Sequence, residues 1–208
     1  MDIQLNGISK RYRYEWIIRN VTFSFEKAQQ YAIQGPNGSG KSTFLKIVSG
    51  HLTPSKGKVT FLEGDKKIAL DQVYKRISYA APYIELIEEL TLKEIIQFFN
   101  RFKTFQANLQ AKDLIEILNF SKSTHKPVKY FSSGMKQRLK LALAICADTP
   151  VLLLDEPTTN LDAQGVSWYR SLIDDYGQNR LMIIASNIDH DFDFCSNHLN
   201  ILDYKKKG

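Results

Sequence analysis

The chain has 208 residues, 43% of them hydrophobic and 24% charged, enough to bury one substantial core with an inserted subdomain but not two independent enzymes. It has no stretch of about 18 apolar residues, and Met1-Asp2-Ile3-Gln4 lacks the basic-then-apolar pattern of a signal peptide, so a soluble, cytoplasmic protein is expected. The net charge of +6 is spread along the chain and runs together only at Tyr204-Lys205-Lys206-Lys207, which reads as a solvated tail, so no nucleic-acid partner is expected.

In chain order, strands are expected at residues 3–10, 21–25 and 30–34. The third contains Tyr31-Ala32-Ile33 and runs into Gly35-Pro36-Asn37-Gly38-Ser39-Gly40-Lys41-Ser42-Thr43, after which Phe44-Leu45-Lys46-Ile47-Val48 has the pattern of an amphipathic helix. The loop has the spacing G-x-x-x-x-G-K-[ST] and sits between a strand and a helix, the context that makes it a nucleoside-triphosphate site. Its glycines let backbone N–H groups reach phosphates at a helix N-terminus, where the partial positive charge favours anions. Lys41 is read as a solvent-facing charge for the β- and γ-phosphates, and the Ser42 hydroxyl as a ligand for Mg²⁺. One such loop means one nucleotide unit per chain.

Further strands are expected at 58–62 and 76–80. From 91 to 148 the pattern changes, with apolar residues at helical spacing through Ile95, Ile96, Phe98 and Phe99, then Leu114, Ile115, Ile117 and Leu118, then Leu139, Leu141, Leu143 and Ile145. This segment reads as a helical insert. Val151-Leu152-Leu153-Leu154-Asp155-Glu156-Pro157 then reads as a buried parallel strand that presents two acids at its C-terminal edge, where open α/β sheets bind ligands. Asp155 would bind Mg²⁺ and Glu156 would polarise the water that attacks the γ-phosphate. Strands at 181–186 and 199–204 complete the pattern. Cys146 and Cys195 lie in apolar surroundings without ligand spacing and read as buried thiols.

Phe131-Ser132-Ser133-Gly134-Met135-Lys136-Gln137-Arg138, before a helix and shortly upstream of the carboxylate strand, resembles the signature motif of ATP-binding-cassette (ABC) proteins, and the resemblance covers essentially the full chain. Ser132 and the N–H groups around Gly134 form a second anion site at a helix N-terminus. The resemblance implies an ABC ATPase fold of α/β class: a P-loop NTPase with a RecA-like core, an antiparallel β-subdomain and an inserted helical subdomain. Residues 1–208 would form a single domain, with 1–82 and 149–208 as nucleotide-binding core and 83–148 as signature subdomain. It further implies that Ser132, Ser133, Gly134 and Met135 close on the γ-phosphate held by another subunit, and that Tyr12 stacks on adenine, with Tyr14 or Trp16 as alternatives. Thr159-Asn160-Leu161-Asp162 is similar to the family's D-loop, and Lys56-Gly57-Lys58-Val59 through Gly64 to its β-subdomain.

Two positions depart from the family pattern. Pro82 falls where a glutamine normally binds Mg²⁺, and Asn187 where the family has a switch histidine; asparagine donates a hydrogen bond but carries no proton or positive charge. The implied function is that of the ATP-binding and ATP-hydrolysing subunit of an ABC transporter, exporter-like by its short chain. It would be paired head to tail as a homodimer or with a related cassette, and held at the inner face of the cell membrane by a separate integral membrane permease. The alternatives are a non-transport ABC protein and a regulator that binds ATP with weak hydrolysis.

Overall fold

The computed structural model describes residues 1–205, which fall into two compact units. One contains residues 1–79, 150–156 and 179 onward; the other contains 80–149 and 157–178.

In the first unit, β1 (Asp2–Tyr12) pairs antiparallel with β2 (Glu15–Phe25) and β4 (Lys56–Glu63), and β5 (Lys66–Lys67) extends the sheet in the order β2-β1-β4-β5. A second sheet has the order β6-β7-β8-β3-β9, built from β3 (Gln30–Gln34), β6 (Ile77–Ala80), β7 (Val151–Asp155), β8 (Leu181–Ala185) and β9 (Asn197–Asn200). β3 lies parallel to β8 and β9, and β7 parallel to β8. Every residue of β7 and β8 is buried, as their unbroken apolar runs require of central parallel strands. The core between the sheets takes in α1 (Lys41–Val48) and a short α2 (Leu70–Val73). At its centre the Phe25 ring meets Tyr31 edge-on at 4.9 Å and lies 6.2 Å from Phe44. Burying each such phenylalanine contributes about 2–3 kcal/mol.

The second unit is helical: α3 (Leu92–Asn100), α4 (Ala111–Ile117), α5 (Ser133–Ile145) and α6 (Ala163–Tyr176). A reciprocal cap starts α3, where the Glu94 amide donates to Thr91 Oγ1 and Glu94 Oε2 accepts from the Thr91 amide at 2.8 Å. Trp168 of α6 donates from Nε1 to the Ile117 carbonyl at 2.8 Å, satisfying the end of α4.

Two expectations need correction. The last strand does not run from 199 to 204; β9 covers Asn197–Asn200, and Ile201–Tyr204 is a 3₁₀ turn because the Asn200 side chain accepts the Leu202 amide at 3.0 Å. β2 begins at Glu15 rather than 21, since a hairpin at Arg13 and Tyr14, with Arg13 at φ +51°, continues the pairing past the polar stretch Arg19-Asn20. β5 and α2 were not anticipated; each is too short to show periodicity. Of the expected solvated tail, Lys206 and Lys207 lie outside the described residues. Both cysteines are buried, as their surroundings implied.

Candidate nucleotide site and signature segment

The parallel sheet gathers the first unit's site residues along one edge. Ala185 is in register with Ile33 on one side and Asp155 on the other, so the phosphate loop after β3, the acids ending β7 and Asn187 after β8 leave adjacent strands at the same level. Strand spacing near 4.8 Å puts Ile33 and Asp155 about 10 Å apart, a span suited to a phosphate chain.

The loop's shape is fixed by its backbone. The Ser39 amide donates to the Pro36 carbonyl at 3.1 Å and closes the turn over exposed Asn37 and Gly38, and the Phe44 amide donates to Gly40 at 2.9 Å to start α1. Gly40 has φ +106°, and a Cβ there would lie 2.6 Å from Ile17 Cγ2, so both backbone and space demand glycine. Lys41 is not the solvent-facing charge expected. It is 4% exposed, and Nζ donates to the carbonyls of Gly35 at 2.7 Å and Pro36 at 3.2 Å, so the ammonium is held across the concave side of its own loop. Ser39 Oγ is buried without a hydrogen bond, a polar atom for which a phosphate oxygen is a suitable partner. Ser42 and Thr43, at the start of α1, are half-buried.

Asp155 is 1% exposed at the end of β7. Glu156 is half-buried and adopts φ +45°, a left-handed conformation rare for a side chain of this kind, while its amide donates to the Ala185 carbonyl at 2.8 Å. Strain of this sort costs on the order of 1 kcal/mol and here turns the carboxylate out of the strand's alternation. For Mg²⁺, Ser42 and Asp155 supply hard oxygen donors, and the described residues contain no cluster of three or more His, Cys, Asp or Glu that would hold a metal alone. That sparse set fits Mg²⁺, which usually takes one or two protein oxygens beside phosphates and water. Asn187 is exposed, and the turn after it is pinned by the Ile188 amide donating to Ser186 Oγ at 3.1 Å, with Ser186 Oγ donating to buried Asp191 at 2.5 Å.

Of the three candidate aromatics, Tyr12 lies on the face that meets the loop. Lys10 pairs with Ile18, whose Cγ2 lies 3.7 Å from where a Gly40 Cβ would be, and Lys10 and Tyr12 share a face with Lys10 Nζ 5.3 Å from the ring centre. Tyr14 is 98% exposed at the hairpin tip, and Trp16 pairs with Arg11 on the opposite face.

The second unit carries the signature segment. Ser132 caps α5, its Oγ accepting the Met135 amide at 3.2 Å, with Ser133 and Gly134 in the first turn. A Cβ on Gly134 would lie 3.0 Å from the Asn160 carbonyl, so this glycine lets the helix start and the 159–162 turn approach closely. Asp162 accepts the Gly165 amide at 2.8 Å and caps α6. Between them lies a hollow of about 380 Å³ lined by Ser132, Gly134, Arg138 and Asp162 among others. The Arg138 guanidinium stacks 4.5 Å from the Trp168 ring centre, and burial pushes its pKa down, with Asp162 opposing the shift.

The sequence family described as ABC transporter matches this chain over residues 18–159. The chain belongs to that family, as a nucleotide-binding subunit. It is 30% identical over 190 residues to the uncharacterized ABC transporter ATP-binding protein YcbN of Bacillus subtilis, covering 89% of this chain and 61% of that one. With the Nod factor export ATP-binding protein I of Rhizobium johnstonii the identity is 28% over 212 residues, 99% of this chain and 67% of the other. The chain thus spans about three fifths to two thirds of the length of these relatives. In fold it is similar to a dimeric, post-hydrolysis structure of the cassette MJ0796 bound to ADP and Pi, with a TM-score of 0.80, 20% identity, and coverage of 95% and 93%.

Within this ABC cassette, Pro82 offers only its carbonyl, and Lys140 Nζ of α5 donates to it at 2.7 Å, while Lys136 Nζ pairs with Glu88 at 2.5 Å. These lysines, one helical turn apart on α5, tie residues 82–88 to the signature helix. No helix among the described residues is long and apolar enough to cross a membrane.

Proposed function

We propose that this ABC subunit binds Mg·ATP on the first unit and hydrolyses it when a second cassette closes over the nucleotide. The observation that carries the reading is the register at Ala185, which puts the phosphate loop, Asp155, Glu156 and Asn187 on one edge. Gly35 to Thr43 would cradle the phosphates, Lys41 would exchange its two loop carbonyls for phosphate oxygens, and Tyr12 would stack on adenine. Mg²⁺, held by Ser42 and Asp155, would neutralise charge on the phosphates. Glu156 orients and polarises the attacking water, and Asn187 donates a neutral hydrogen bond to the γ-phosphate. In this reading Ser132 to Met135 of one chain face the phosphate loop of the other, in a head-to-tail homodimer or a pair with a related cassette. In this reading 1–82 and 149–208 would supply the nucleotide core and 83–148 the signature subdomain, with 157–178 of that core packed into the helical unit.

The membrane permease is a separate subunit in this proposal, and the cassette works at the inner face of the membrane. An exporter-like role draws support from the relative named for Nod factor export. A second reading, a regulator with weak turnover, rests on Pro82 and Asn187. Glu156→Gln removes the base while keeping shape, so saturating Mg·ATP should double the mass seen by light scattering. A variant that stays monomeric, with the wild type monomeric too, would count against the sandwich in the isolated subunit.

A further inference from the structure

The antiparallel sheet has a second face, opposite to Tyr12 and the phosphate loop. β1 and β2 bring Arg11 against Trp16 there, and β1 and β4 bring Ser9 opposite Lys56 and Asn6 opposite Lys58. Three cations converge on the one indole: the Arg19 guanidinium carbon is 5.3 Å from the ring centre, that of Arg11 5.5 Å, and Lys56 Nζ 5.7 Å. Each cation–π contact is favourable, yet gathering three like charges on one ring costs repulsion that the ring does not remove.

No acid relieves it. None of Arg11, Arg19 and Lys56 has a carboxylate within ion-pair distance among the described residues. Glu15 pairs with Tyr12 and so lies on the other face, and Glu63 is bound to Arg76. Asp2, nine residues along β1 from Arg11 and hence about 30 Å away, accepts the Lys27 amide. Beside the ring is a hollow of about 400 Å³, lined by Gly7, Ser9, Trp16, Arg19, Asn20 and Lys56. Ser9 is 7% exposed; its Oγ accepts the Asn20 amide at 2.8 Å, leaving the hydroxyl proton for an acceptor in the hollow.

We infer that this hollow is a second anion site, separate from the ATP site, that takes a phosphate-bearing group between Arg19 and Lys56 beside the Trp16 ring, with Arg11 adding positive charge from across the indole. Planar guanidinium forks match tetrahedral phosphate oxygens, Lys56 adds a point charge, and Ser9 supplies a neutral donor. The group is either a free polyphosphate or the headgroup of an anionic phospholipid, which share this chemistry.

The test uses the full chain carrying Lys41→Ala, so that the phosphate loop is disabled and a failed ATP assignment is not mistaken for a failed second site. Inorganic tripolyphosphate is titrated while indole fluorescence is followed, with Trp16→Phe as the control that removes the signal. In parallel, sedimentation is measured with phosphatidylcholine vesicles with and without phosphatidylglycerol. Binding of either probe that weakens about tenfold or more in the Arg19→Gln, Lys56→Gln double variant, and returns in Arg19→Lys, Lys56→Arg, supports the site. Response to tripolyphosphate assigns the free anion; response only to phosphatidylglycerol vesicles assigns the headgroup. Absence of both responses, or responses unchanged in the double glutamine variant, overturns it.

Discussion

The two units build their candidate sites by different means. In the first, the site residues stand at the ends of paired strands, and backbone hydrogen bonds set their positions: Ser39 to Pro36, Phe44 to Gly40, Glu156 to Ala185. In the second, the site is one helix start, positioned by side chains and one close approach: the Ser132 cap, Gly134 against Asn160, and Arg138 stacked on Trp168. A site held by a ladder tolerates change in its side chains without losing shape. One held by contacts does not.

The largest test of that contrast sets Lys41→Ala against Gly134→Asp. Among the described residues Lys41 Nζ bonds to its own loop, so its loss should leave the fold intact and weaken ATP about 100-fold, the worth of a charge-assisted pair of hydrogen bonds. Gly134→Asp drives a Cβ toward the Asn160 carbonyl and puts negative charge at the proposed anion site. It should leave ATP affinity in calorimetry within about threefold of wild type, while phosphate release falls about 100-fold or more, the scale of a lost preorganised donor site. Equal loss of affinity in both variants would erase the distinction between the units.

A smaller effect is expected at Asn187, which follows β8 at the sheet edge that carries the phosphate loop and Asp155 but which is neutral. Asn187→His should raise steady-state phosphate release about tenfold, because an imidazole donates to, and when protonated stabilises, charge developing on the phosphoryl group. A slower variant would mean that the turn pinned by Ser186 and Asp191 aims this position elsewhere.

The same contrast explains what was legible in the sequence. The phosphate loop and the strand to Asp155 are local signals, in which spacing and an unbroken apolar run dictate geometry. Lys41 reads as exposed because it is a lysine, while the loop's curvature turns its own carbonyls onto the ammonium. Trp16 and Tyr12 looked interchangeable because the pairing shift between Lys10 and Arg11, which fixes their opposite faces, leaves no mark in the sequence. The ties from Lys136 and Lys140 to residues 82–88 span 48 and 58 residues, and no local pattern encodes them.

The smallest prediction concerns the helical unit's stability. Three of its cations, Lys103, Arg138 and Lys140, have pKa values lowered chiefly by burial, and Lys103, beside the Phe99 ring, is lowered to about 8. Unfolded lysine titrates near 10.4, so between about pH 8 and 10.4 the unfolded chain holds a proton at this position that the folded chain has released. Folding stability therefore rises with pH across that window, and below pH 8 the folded state carries the full cost of the buried charge. Lys103→Met keeps the stem and removes the charge. It should raise the melting temperature at pH 7 by about 2–4 °C, equivalent to about 1 kcal/mol in a chain of this size, and the gain should shrink toward zero by about pH 10. A gain that is the same at both pH values would assign the effect to packing rather than to the ammonium. A loss at pH 7 would show that the contact with Phe99 outweighs the burial, and the helical unit would then not be the one that alkaline pH strengthens.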